Sequence, residues 1–314
     1  MATGGGNFDQ PEIPAASWEG QVRLADGYDR FVRRFGTGPN VLLCQHGGPG
    51  VDHRSLLPLA SLADDRLQVV FYDQLGGGAS SRPDRDELWT VETFVREFVG
   101  LVDALDSDGV HLLGQSWGGM LALECALATP KLVRSLVLCD SLAAISHARE
   151  GFAEILDDAP DAVRVALEGN HPFDPSDDSD LGRGIANVFA THLRRSHPFD
   201  LERSRRELAE LSGVLFDYIG PAYEVMWGAN EFAPDGNLRD WSVVDRLGEI
   251  TAPALVICGA YDELTPERCH RPLVEGLPDA RWLILGQSSH MIFHEVEADL
   301  ALAAIRGFLL DLPS

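Results

Sequence analysis

Three stretches of this 314-residue chain carry residue types that acyl-transfer chemistry requires. Gly114-Gln115-Ser116-Trp117-Gly118 is a G-x-S-x-G pentapeptide between the apolar run "GVHLLGQ" and the apolar stretch "WGGMLALECAL". A serine on a strained strand-to-helix turn lifts its hydroxyl above a sheet, and the flanking glycines let strand and helix approach closely. That hydroxyl is a weak nucleophile, so it needs a base, and the base needs an orienting acid. "VICGAYDELTP" puts Asp262 just past one strand-like run, and "LILGQSSHM" puts His290 just past the next. Such turns are accompanied by partners in the chain order serine, acid, histidine. Ser116 is therefore the candidate nucleophile, His290 the base and Asp262 the acid.

Other residues compete for these roles. Asp140 follows "SLVLC", a second position at which this architecture can keep an acid. His294 lies four residues past His290, where the final helix is expected. His46 sits in a glycine loop and is expected to shape the turn; His111 lies in a buried strand and reads as a core histidine. The glycine loop itself, "CQHGGPG", follows a strand-like run and offers bare backbone N–H groups. Acyl transfer develops negative charge on a tetrahedral oxygen, and a preorganised donor there contributes roughly 3–4 kcal/mol. Gly48 from this loop and Trp117, the residue after the serine, are the candidate donors. A phosphate cradle is disfavoured: no GxxxxGK[ST] pattern occurs, and the single lysine, Lys131, is far along the chain. Asp73 and Gln74 end a strand before "LGGGAS", where Asp73 is expected to satisfy backbone N–H groups and hold that loop.

The elements that must position these residues alternate along the chain. "QVRLADGYDRFVRRFG" reads as a hairpin around an Asp-Gly turn. The runs "NVLLCQ", "LQVVFYD", "GVHLLGQ", "LVRSLVLCD", "APALVICG" and "ARWLILG" read as strands, with helical patterns between them. Continuous apolar strands alternating with helices imply a mostly parallel sheet covered on both faces; together with the serine on a strand-to-helix turn, an α/β-hydrolase fold is expected. Between about 141 and 245 the alternation stops and helical periodicity takes over. The expected organisation is a flexible arm at 1–17, a core at 18–140 and 246–314, and an inserted helical cap at 141–245.

Composition limits the partners. The chain has 25 basic and 49 acidic residues, a net charge of −24, which disfavours nucleic acid and anionic membrane surfaces. Five cysteines, odd in number and without a CxxC pair, suggest reduced buried thiols in a cytoplasmic protein. The first 17 residues lack the charged and apolar regions of a signal peptide, and no run is long enough for a membrane span. No ligand cluster with metal spacing stands out, so neither metal nor organic cofactor is expected. Oligomeric state is not legible.

Taken together, "HGGPG", "YDQLGGGASSRP", "GQSWGG", "GAYDELTP" and "SSHM" resemble, in order, segments of the proline iminopeptidase family of α/β-hydrolase serine peptidases. The resemblance spans nearly the whole chain and implies removal of N-terminal residues, proline or small apolar ones, from short peptides. Within the cap, "YEVMWGANEF" resembles the segment that supplies a glutamate to the substrate's free α-ammonium group, which falls on Glu231. A partly desolvated carboxylate suits that task. Tyr223, Trp227 and Phe232 neighbour it, and either line an apolar wall for the substrate or pack the cap onto the core. "NVFATHLRRSHPFD" keeps the outline of a family helix at His192, Arg195 and Pro198. Family members use further acidic groups for the amine; Glu202, Glu224, Asp177, Asp178 and Asp180 are all candidates. Relatives also include amidases and esterases, so a small aminoacyl amide or ester is the alternative substrate. A silent small-molecule receptor on this fold is disfavoured by the complete serine, acid and histidine set.

Overall fold

Each apolar run becomes a strand, and the runs pair in an order that brings their C-terminal ends to one edge. The structure is a computed structural model describing residues 12–169, 171, 177–193, 199–207 and 220–312. The strands are β1 (Trp18–Arg23), β2 (Asp29–Phe35), β3 (Asn40–Gln45), β4 (Leu67–Tyr72), β5 (Val110–Gln115), β6 (Val133–Cys139), β7 (Ala254–Gly259) and β8 (Ala280–Leu285). They form one sheet in the order β1-β2-β4-β3-β5-β6-β7-β8. β2 is antiparallel to β1 and to β4; all later pairings are parallel. The hairpin turns where Asp26-Gly27 stands, with Gly27 at φ 85°.

Side chains in a strand alternate between faces, and here they sort into two cores. Leu43, Val70, Tyr72 and Leu112 pack with Phe94 and Phe98 of α1 (Val91–Ala104) and with Met120 and Leu121 of α2 (Trp117–Ala128). Leu42, Cys44, Val69, Phe71 and Leu113 pack on the other face. There they meet Leu56 and Leu59 of the 3₁₀ helix His53–Leu62 and Ile305 and Phe308 of the last helix, Ala298–Asp311. Burial of β5 and β7 along their whole length follows from this double cover. All five cysteines are free and buried. No helix among the described residues is long and apolar enough to cross a membrane.

After β6 come α3 (Ile145–Asp158), α4 (Asp161–Glu168), α5 (Asp180–His192), the helical residues 201–207 and α6 (Pro221–Met226). The chain's departure and return are stitched together: Ala144 bridges Ser242, Ile145 N–H donates to Trp241 O, and Val243 N–H donates to Ala143 O. α7 (Glu267–Gly276) follows β7, and the helix Ala298–Asp311 is α8. The arm expected at 1–17 lies mostly outside the described residues; Ser17 already pairs with Arg34 O.

The hairpin is fastened by charge. Arg30 of β2 is fully buried and pairs with Glu97 of α1 and with Asp26 (2.5 Å). Glu97 also accepts from Leu75 N–H (2.9 Å), so one carboxylate ties hairpin, helix and the 73–80 loop together. Removing it leaves the buried guanidinium with Asp26 as its one remaining carboxylate among the described residues. Glu97→Ala is expected to lower stability by about 3 kcal/mol in urea unfolding, the cost of breaking a buried ion pair from one side.

Candidate active site

The turn after β5 sets the site. Ser116 stands at φ 56°, ψ −124°, between the last residue of β5 and the first of α2. A non-glycine residue there stores roughly 1–3 kcal/mol of strain, held by the surrounding structure. Its N–H donates to Cys139 O (3.0 Å), and its carbonyl accepts from Gly119 N–H and Ser141 Oγ (both 2.9 Å). The helix must start almost against β3: a Cβ on Gly118 would lie 2.1 Å from Gln45 O. Only glycine fits that approach.

Asp262 follows β7 and His290 follows β8, and the two meet as His290 Nδ1 to Asp262 Oδ2, 2.8 Å. Asp262 is buried and also accepts from Leu264 N–H (3.0 Å), Thr265 N–H (2.9 Å) and Thr265 Oγ1 (2.5 Å). Burial alone would raise its pKa; the His290 charge and these bonds outweigh it and hold the carboxyl below the usual carboxylate range. An ionised Asp262 fixes the proton of His290 on Nδ1 and leaves Nε2 bare. Burial opposes charging of His290, but the Asp262 carboxylate and its hydrogen bond prevail, and the ring titrates above an ordinary imidazole. Its loop is held from below by Glu295, which accepts from Ser289, and by Glu297, which accepts from Gln287 N–H and Ser288 Oγ. From the serine side, Gln115 Nε2 donates to His290 O (3.1 Å).

One cavity, open to solvent, is lined by Ser116, His290, Gly47, Gly48, Tyr223 and Glu231, among others. Gly48 bends the loop at φ 107°. Trp117 is the first residue of α2, where an N–H has no intrahelical acceptor. Glu231 enters from the segment after α6, and Tyr223 OH donates to its Oε2 (2.9 Å). Burial pushes the Glu231 carboxyl up, a shift that His290 and the Tyr223 bond offset only in part.

The competing residues have other duties. Asp140 (φ 45°) is fully buried and accepts from Gly259 N–H (3.1 Å); burial, then the nearby Asp262, push its carboxyl well above the carboxylate range. His294 bonds Ser55 O (2.7 Å) and His111 bonds Ser135 Oγ (2.8 Å), the latter ring pulled down to about 4 by burial first. Asp73 accepts from His53 N–H (3.0 Å), His53 Nδ1 (2.7 Å) and Ala79 N–H (2.8 Å), the loop-holding role its position suggested. Asp52, His53 and Asp73 have metal-like spacing among the described residues. Those oxygens already serve hydrogen bonds, including Arg54 N–H and Nε to Asp52, so nothing in the group fits an ion better than its present partners.

The cap residues divide. Tyr223 faces the cavity as a hydrogen-bond donor. Trp227 and Phe232 do not line it: Trp227 Nε1 donates to Glu231 O (3.2 Å), and Phe232 packs edge-on against Phe189 and Phe152. The apolar wall is instead Val51, Phe189, Leu193 and Met291. Phe189 and Leu193 are four apart at the end of α5, a helical-face spacing present in the sequence but shared by many core pairs. Among the described residues Glu231 is the only acidic one on the cavity. Glu202 and Asp180 pair with Arg205 and Arg183, Asp177 caps Ser179 N–H, and Asp178 and Glu224 are exposed. His192 pairs with Glu263, beside Asp262, while Arg195 and Pro198 fall outside the described residues.

The mostly parallel eight-stranded sheet, with helices inserted between β6 and β7, is an α/β hydrolase fold, and a family model for the α/β hydrolase fold matches residues 40–296. Proline iminopeptidase of Lactobacillus crispatus is 34% identical over 280 residues, 86% of this chain and 90% of that one. The crystal structure of proline iminopeptidase from Mycobacterium smegmatis superposes with a TM-score of 0.76 at 31% identity, covering 93% of this chain and 97% of that one. The crystal structure of VinJ superposes at 0.79, also at 31%, covering 95% and 100%. The chain belongs to the proline iminopeptidase family of α/β hydrolases.

In imidazole NMR the His290 ring is expected to gain its second proton above the pH of about 6.5 typical of free histidine. Asp262→Asn removes the stabilising charge but not the burial, so the same titration should move below that value.

Proposed function

We propose that this protein is a serine hydrolase that removes the N-terminal residue of a short peptide or amide whose α-amine is free. Proline or a small apolar residue is the leading N-terminal group. The similarity to proline iminopeptidases supports the reaction class, and the cavity supports the roles. The observation that carries most weight is that Glu231, held by the Tyr223 hydroxyl, shares one cavity with Ser116 and His290. Such a carboxylate anchors an ammonium a set distance from the carbonyl under attack.

In this reading His290 Nε2 takes the Ser116 proton as Oγ attacks the carbonyl carbon. Asp262 stabilises the imidazolium, and the N–H groups of Gly48 and Trp117 receive the developing oxyanion. His290 returns the proton to the leaving amine. Water, deprotonated by His290, then releases the acyl group from Ser116. The helical segment 141–245 acts as a cap over the core of 18–140 and 246–314 and selects the substrate. Val51, Phe189, Leu193 and Met291 receive its apolar side chain. The five buried free thiols support a cytoplasmic setting.

A neighbouring reading, an amidase or esterase for another small amine-bearing metabolite, is favoured by one observation. Glu231 is the cavity's only carboxylate among the described residues.

A panel of prolyl, alanyl and bulkier aminoacyl anilides, each free and N-acetylated, with simple esters beside them, separates these. Free-amine anilides should turn over and acetylated ones should not, Ser116→Ala should be inactive, and Glu231→Gln should raise KM at least 10-fold, roughly the worth of a charge-assisted bond. Equal cleavage of free and acetylated substrates would sink the amine anchor. In acid, kcat/KM should fall as His290 and Glu231 take up protons, both with raised pKa values. The midpoint of that limb belongs above pH ~6.5, and a flat profile there removes the histidine base.

A further inference from the structure

Gln74 lies outside the cavity lining and is fully buried, yet its backbone N–H and both polar atoms of its side chain bond to the oxyanion loop or the residue after the serine. Its backbone N–H donates to His46 Nε2 (3.0 Å), and its side-chain Nε2 donates to His46 O (2.9 Å). Its Oε1 accepts from the Trp117 indole Nε1 (2.8 Å). His46 opens the loop that carries Gly48, and Trp117 opens α2. One amide therefore joins the loop that carries Gly48 to the first residue of α2, next to Ser116.

The neighbouring groups make this link rigid. The His46 ring donates from Nδ1 to Gly47 O (2.8 Å), so its Nε2 is a bare acceptor matched to Gln74 N–H. Burial, the largest influence on that ring, keeps it neutral. The Trp117 indole is buried and packs edge-on against Phe94, with centroids 5.8 Å apart. A side chain at 74 must donate and accept at once over a fixed reach. Glutamate lacks the donor, asparagine is a methylene short, and apolar residues offer neither.

We infer that Gln74 is a positioning residue for the oxyanion hole, its amide setting the spacing of the Gly48 and Trp117 N–H donors. The inference rests on the serine-hydrolase reading of the cavity. Donors of this kind act in the transition state, where their placement must match the position of the oxyanion and not of the ground-state carbonyl oxygen. Loosening them lowers kcat and leaves substrate binding nearly untouched.

The test compares the parent with Gln74→Met, which keeps the shape and loses the amide, and Trp117→Phe, which removes the indole N–H together with part of the buried ring. Two readouts are taken: turnover of the best free-amine anilide, and affinity for the matching aminoacyl boronate, which forms a tetrahedral adduct on a serine Oγ. Expected are a kcat lower by about 10- to 100-fold, KM within about 3-fold, and boronate affinity weakened in step with kcat. Affinity for the free amino-acid product should be unchanged. If Gln74→Met does not fold, Trp117→Phe reads the same link with a smaller loss. Unchanged kcat and boronate affinity in a folded variant overturn the inference. So does an equal loss of product and boronate affinity, which marks a general structural role. A parent that forms no boronate adduct, and a Ser116→Ala variant that remains active, would instead bring down the serine reading itself.

Discussion

The approach of α2 to β3, glycine against carbonyl at Gly118 and Gln45, is the contact on which the rest of the site depends. It forces the chain to turn within one residue after β5, and Ser116 takes the unfavourable conformation that results. The same approach brings the first turn of α2 beside the loop that follows β3. Bonds from Cys139 O and Ser141 Oγ then hold Ser116 from β6 and the residues after it. The strain of the turn is thus borne by three adjacent strands and not by a flexible loop.

Charge is divided with equal economy. Asp262 and Asp140 are both buried near one another, and two ionised carboxylates in that space would repel. The His290 charge comes first in deciding between them, and hydrogen bonds add to it. Asp262 has three donors besides His290, while Asp140 has one in Gly259 N–H. The first therefore stays ionised and orients the imidazole; the second is pushed toward its neutral form. Glu231 lines the same cavity as His290, and the ring is drawn toward its charged form by Asp262 first and then by Glu231.

Much of this was legible in the sequence because strand ends are easy to find in a fully covered parallel sheet. β3, β5 and β7 are nearly continuous apolar runs, and the residues just past them, His46, Ser116 and Asp262, stand on one edge by topology. Asp73 was readable for the same reason. The cap was harder. Which side of a helix faces a cavity depends on how it packs, and the periodicity around Glu231 does not distinguish Tyr223, which reaches the cavity, from Trp227 and Phe232, which pack behind it. Phe189 and Leu193 were missed because an apolar pair four residues apart looks the same whether it meets a core or a ligand. Gln74 and Gln115 lie inside segments the sequence singles out, but their bonds run between parts distant in the chain, and no local pattern shows those partners.

The pairing of 143–145 with 241–243 has a consequence for how this molecule can change over evolutionary time. Because the two ends of the excursion are clasped beside the sheet, β6 and β7 experience the same boundary whatever length or sequence lies between them. Lengthening a closed loop adds little entropy cost, about 0.6 kcal/mol per doubling. The stretch between the clasped ends can therefore be rewritten as a cassette while β6 and β7 keep their pairing.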